Sequence, residues 1–158
     1  LLEGAQGLFA AMSDGADAHN VVANIDDNWR IHDVSFKPWS ACRHAHPVLD
    51  AALAVLDQVD VNTIEKIVIE TYKSAIDFCN KPAPVTEHEA KFSLQHCAAM
   101  VFANSASGGK PTLDGFELAQ LQLAPLVSLR KRVEVRENIA MSQVTSRALS
   151  SRYSCRPS

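Results

Sequence analysis

Ten residues of this sequence, Lys37-Pro-Trp-Ser-Ala-Cys-Arg-His-Ala-His46, carry an ammonium, a thiol, a guanidinium and two imidazoles, and Pro47 follows directly. Pro38 and Pro47 turn the residues before them away from helical backbone, so the segment reads as an extended loop running into a helix start. Such a loop lies near the positive end of the following helix, where anions are favoured. Lys37 and Arg43 are charge-assisted donors for carboxylates, and His44 or His46 can move a proton near neutral pH. The pattern suits acid–base chemistry on a carboxylate-rich substrate. Without chemistry, the same residues are a solvated lysine and a capping or buried histidine.

Two other chemistries compete for these residues. Cys42, His44 and His46 form a zinc-like ligand set. Their spacing places all three on one face only along a straight chain, and no second ligand pair follows, so no metal is expected. Cys42 between an arginine and a histidine also has surroundings that activate a thiolate. No cysteine-protease or oxidoreductase motif accompanies it, and a serine nucleophile elbow is missing as well.

The elements that must position this loop can be read from periodicity. Glu3 to Met12 reads as a short helix weakened by Gly4 and Gly7, residues 20–27 as a helical turn, and Trp29 to Val34 as an alternating strand leading into the loop. Pro47 to Val59 is a helix with Val48, Leu49, Ala52, Leu53, Val55, Leu56 and Val59 on its apolar face. Ile64 to Tyr72 reads as a strand, and Arg132 to Arg136 alternates as a second strand at a sheet edge. Between them, Thr86 with Glu89 forms a capping-box signature for a helix running to about Ala103. Its core stripe is Leu94, Cys97, Ala98 and Val101, which places Phe92 and His96 on the opposite face, open to a partner surface or a covering loop. Gly108 to Pro111 is a loop unsuited to phosphate, and Phe116 to Arg132 holds two short helices parted by Pro125. Strand and helix interleave without regular βαβ spacing, so a small α+β domain is expected.

Composition sets the outer limits. With 47% hydrophobic and 21% charged residues, the chain belongs with globular proteins rather than disordered ones. A net charge of −3 gives no broad footprint for nucleic acid or anionic lipid. No apolar run approaches the roughly 18–20 residues that span a bilayer. Cys42, Cys79, Cys97 and Cys155 show no CxxC pairing, which favours free thiols in a reducing cytoplasm. The opening Leu1 and the Ser/Arg-rich end from Ser142 onward lead us to expect a fragment with a disordered or non-native tail.

The segment Lys37-Pro-Trp-Ser-Ala-Cys-Arg-His-Ala-His-Pro-Val-Leu-Asp-Ala51 resembles the K-P-Y-P-x-C-R-x-x-H-P-x-I-D-A stretch of the MmgE/PrpD family. That family includes 2-methylcitrate dehydratase, cis-aconitate decarboxylase and iminodisuccinate epimerase. Leu2-Glu-Gly-Ala-Gln-Gly-Leu-Phe9, Trp29-Arg-Ile-His32 and Glu87-His-Glu-Ala-Lys-Phe-Ser-Leu-Gln95 agree in the same order, so the resemblance covers roughly residues 1–137. It implies an all-helical domain followed by a smaller α+β lid, usually as a homodimer, with the substrate site between them. By that resemblance residues 1–28 are the end of the helical domain, 29–137 an incomplete lid, and 138–158 the tail.

The resemblance also implies chemistry: a lyase, most plausibly 2-methylcitrate dehydratase-like, working on small di- or tricarboxylates by acid and base side chains without metal or organic cofactor. Lys37 matches the family's loop lysine, a carboxylate binder or acid, and His46 the histidine before the lid helix. Arg43 and His44 join them in binding substrate. Cys42 stands where the decarboxylase branch has a site histidine, and Ser40 replaces a common proline. His96 stands where many members carry a tyrosine facing the site. The resemblance places a principal base in the helical domain, so the isolated chain is expected to be inactive. The alternatives are a non-catalytic binding or dimerisation module using the Phe92/His96 face, and an epimerase or decarboxylase of the same family.

Overall fold

A computed structural model of the chain describes residues 4–12, 19, 31, 34–106 and 113–144. The chain divides into two compact units, Leu1–Phe36 and Lys37–Ser158. In the first, helix α1 spans Leu8–Met12. It starts later than the periodicity implies because Gly4, at φ 101°, begins a turn whose carbonyl accepts from the Gly7 N–H at 3.0 Å. Only glycine takes that left-handed backbone without strain. The turn expected over 20–27 lies outside the described residues, as does most of the strand expected over 29–34.

The second unit opens with the Lys37–His46 loop, which enters helix α2 (His46–Val55) with Pro47 in the first turn, where a missing N–H costs nothing. Val48, Leu49 and Ala52 carry its buried face. After two short turns, strand β1 (Ile67–Thr71) leads into α3 (Lys73–Cys79), α4 (Glu87–Lys91), α5 (Leu94–Ala106), α6 (Leu118–Leu121), α7 (Ala124–Lys131) and strand β2 (Val133–Glu137). The strands pair in parallel from Ile67↔Val133 to Thr71↔Glu137. Parallel neighbours need a long crossover, which the helices between them supply. The α+β class expected from the sequence is the class observed.

Helix α5 is the centre of the core. Every residue from Ser93 to Ala103 is buried, with α2 and α7 packed against it. A helix buried all round has no solvent face. Of the two expectations for the face opposite the core stripe, an open partner surface is corrected and a covering loop is found: Phe92 is half-buried and His96 is fully enclosed. The single helix expected from Thr86 to Ala103 is also two. Its capping box is present, the Thr86 hydroxyl accepting from the Glu89 N–H at 3.1 Å and the Glu89 carboxylate from the Thr86 N–H at 3.3 Å. Phe92, at φ −113° and ψ 26°, then leaves the helix. The Ser93 hydroxyl restarts it, accepting from the His96 N–H at 2.9 Å while donating to the Lys81 carbonyl at 2.6 Å.

Residues 138–144, placed in the tail because the resemblance stops at Glu137, begin with a cap. Asn138 Oδ1 accepts from the N–H groups of Ala140 and Met141 at 3.1 and 3.3 Å, and 139–144 are helical. The Asn138 N–H donates to the Thr71 carbonyl at 2.8 Å, tying this segment to the end of β1. Residues 145–158 and the Gly108–Pro111 loop lie outside the described residues. Among the described residues, no helix is long and apolar enough to cross a membrane.

Candidate functional site

The Lys37–His46 loop is held by its small residues and displays its large polar ones. Ala41 and Ala45 are buried, Trp39 and Cys42 pack against the core, and Lys37 and Arg43 are exposed. The Cys42 N–H donates to the carbonyl of Lys91 at the end of α4 at 2.8 Å, and Cys42's own carbonyl accepts from the Ala45 N–H at 2.8 Å. Arg43–Ala45 form one tight turn that passes directly into α2. Arg43 thus stands between a backbone tie to α4 and the start of α2, with Lys37 five residues before that tie.

The two imidazoles of the loop are held differently. His46 Nε2 lies 3.3 Å from the Ala41 carbonyl, a bond that closes the loop on itself. His44 is held from outside: its Nδ1 lies 2.6 Å from the Tyr72 hydroxyl. Its ring stacks on Phe78, with centroids 5.4 Å apart and planes 5° from parallel, and meets Tyr72 edge-on at 5.6 Å. Tyr72 follows β1 and Phe78 lies in α3, so the strand–helix junction forms the wall behind the loop. Burial pushes the Tyr72 phenol above its usual pKa, with nearby Cys79 and Cys42 adding to the shift. Neither aromatic residue was singled out by sequence, because both meet His44 only through the tertiary fold.

The thiols form their own group. Burial, then a hydrogen bond with Cys42, pushes Cys79 up to about 12. Burial pushes Cys97 up as well. Both stay protonated at neutral pH, and no hydrogen bond joins Cys42 to His44 or His46, so the imidazole-activated thiolate has no support in the geometry. Cys42, His44 and His46 do not converge either, because the segment coils into a turn instead of staying straight. Among the described residues, no group of three His, Cys, Asp or Glu is placed to hold a metal ion.

His96 stands apart from the loop. Its Nε2 donates to the Gly115 carbonyl at 2.9 Å and its ring lies against Phe116 at 5.8 Å. Its Nδ1 is buried without a partner. Burial lowers its pKa to about 4, opposed by the Gly115 bond and aided by the nearby Arg130 cation. All these partners come from the Leu113–Phe116 turn and α7, none from the loop. Lys37, Cys42, Arg43, His44 and His46 thus share one short segment without converging, and His96 lies in the core. A groove of about 750 Å³ between α2, β1, α5 and residues 139–144 is mainly apolar; Tyr72 lines it, but Lys37, Cys42, Arg43, His44, His46 and His96 do not.

The sequence pattern of the MmgE/PrpD C-terminal domain matches residues 39–153. The chain is also similar to two proteins named cis-aconitate decarboxylase. It is 29% identical to the human protein over 110 residues and 31% identical to the mouse protein over 111, in each case 65% of this chain. It spans 22% of the length of each of these relatives.

Proposed function

We propose that this chain, which belongs to the MmgE/PrpD family, is the lid portion of a lyase that eliminates water from small di- or tricarboxylates by acid–base catalysis. The observation that carries this reading is the loop itself: exposed Lys37 and Arg43 on a segment tied to the core at Cys42, with His44 and His46 in the same segment. Lys37 and Arg43 neutralise substrate carboxylates as charge-assisted donors. Such donors accelerate elimination to the extent that they hold the transition state's charge better than the substrate's. His46, or His44 beside it, supplies the proton that lets hydroxide leave. The principal base and the remaining substrate contacts belong to the helical domain that the resemblance implies, so the lid alone is inactive. The enzyme is cytoplasmic and homodimeric and needs no cofactor in this reading.

The test is Lys37→Ala in a protein carrying both domains, assayed on 2-methylcitrate and cis-aconitate. Losing one hydrogen bond to a charged group lowers kcat/KM on the order of ten- to a hundredfold. Unchanged turnover by a folded variant removes Lys37 from the mechanism. Decarboxylation is the second reading, favoured by the likeness to two proteins of that name. Against it stands Cys42, a thiol where the resemblance implies a histidine in that branch. Carbon dioxide release from cis-aconitate without hydration chemistry decides for it.

A further inference from the structure

Among the described residues, His44 is the loop imidazole whose ring is gripped by groups from outside the loop. The Tyr72 hydroxyl has one hydrogen-bond partner there, His44 Nδ1 at 2.6 Å. A tyrosine that keeps its proton at neutral pH must donate it somewhere, and in a half-buried setting an unpaired hydroxyl is costly. Were Nδ1 protonated in the neutral ring, it would occupy the phenol oxygen and leave the phenol proton without a protein acceptor. The arrangement that pairs the phenol proton within the protein has Nδ1 accepting, with the single ring proton on Nε2. Gln95 Oε1 and His96 Nδ1 are the buried, partnerless side-chain atoms among the described residues. Nε2 of His44, which also has no protein partner, is accordingly open to solvent. The near-parallel stack on Phe78 fixes the ring plane and so the direction of that N–H.

We infer that Tyr72 is a positioning residue, which with Phe78 holds His44 with Nε2–H turned outward as a donor to a carboxylate oxygen of the ligand gathered by Lys37 and Arg43. The ligand half of this inference rests on the lyase reading; the positioning half rests on the geometry alone. A second-sphere hydroxyl that sets a histidine's tautomer is a known way to decide which nitrogen acts.

The experiment is a pair of measurements, ring spectra on the 158-residue chain and ligand binding on a protein carrying both domains. Long-range proton–nitrogen spectra of the histidine rings near pH 8 are recorded for wild type and Tyr72→Phe, with His44→Gln to assign the signals. Citrate is titrated as the carboxylate probe. Wild-type His44 is expected to be protonated at Nε2 alone, and Tyr72→Phe to draw the two nitrogen signals together as the tautomers exchange. Citrate is expected to bind about three- to tenfold more weakly to Tyr72→Phe. It should bind His44→Gln, which keeps an N–H near the Nε2 position, better than His44→Ala. A wild-type ring protonated at Nδ1 overturns the positioning role, even if Tyr72→Phe fails to fold. Unchanged ring signals in a folded Tyr72→Phe overturn it too. A fixed tautomer in a two-domain protein indifferent to citrate overturns the ligand half and counts against the carboxylate reading, while leaving the positioning half upheld.

Discussion

Acidification should weaken this fold through His96, and replacing His96 with glutamine isolates the effect. The unfolded chain takes up that proton near pH 6.5, whereas the folded chain resists it until about 4. Between those values the unfolded state binds more protons, so stability is complete above about pH 7 and falls as pH falls. Once both states are protonated, the loss from this one group is about 3 kcal/mol, and about 2 kcal/mol of it is already gone near pH 5. The cause is the enclosed ring, whose Nδ1 has no acceptor for a second proton. His96→Gln keeps an N–H for the Gly115 carbonyl but cannot titrate. Urea unfolding of both proteins near pH 7.5 and pH 5 gives the comparison, and the other histidines cancel between them. Wild type should lose about 2 kcal/mol more than the variant, a midpoint difference of about 1 M urea for ordinary slopes. Equal losses would refute the argument, and with it the neutral buried histidine.

Gly115→Ala should destabilise the chain by about 1–3 kcal/mol, as overpacked sites do. The added methyl would come within 2.2 Å of Met100 Sδ and 2.7 Å of its Cγ. Because Met100 is itself buried, the penalty should shrink in a Met100→Ala background, a coupling that a double-mutant cycle by urea unfolding will show. Among the three described thiols, a maleimide should label Cys42 in the folded chain and reach Cys79 and Cys97 only after unfolding. Peptide mapping checks this, and native labelling of Cys97 as fast as Cys42 would contradict the packing.

Local signals in the sequence were read correctly wherever the structure is decided locally. Pro47 marked a helix start, Thr86 and Glu89 closed a capping box, and alternation picked out both strands. What escaped depends on groups distant in sequence. Periodicity placed a core stripe on α5 and His96 on its other face, but could not decide that the Leu113–Phe116 turn and α7 cover that face. The helix break at Ser93 follows from a hydroxyl that bonds Lys81, twelve residues earlier. The grip on His44 comes from Tyr72, 28 residues later in the chain, and from Phe78 beyond it. The loop's residue types announced a polar site; which imidazole faces outward was a tertiary fact.

The parallel pairing of β1 with β2 has a consequence for how the molecule assembles. Ile67 must find Val133 across the whole run of α3 to α7, so no hairpin can seed this sheet. Closing so long a segment costs chain entropy before any ladder bond rewards it. The sheet is therefore a late event in folding, completed only when α5 and its covering helices have already condensed. On the ribosome, β1 leaves the exit tunnel well before its partner and waits with its edges unpaired, apolar Val68 and Ile69 among them. The same dependence makes Tyr72, immediately beyond β1, a reporter of completed folding: the wall behind the loop adjoins a strand that pairs only with a distant part of the chain.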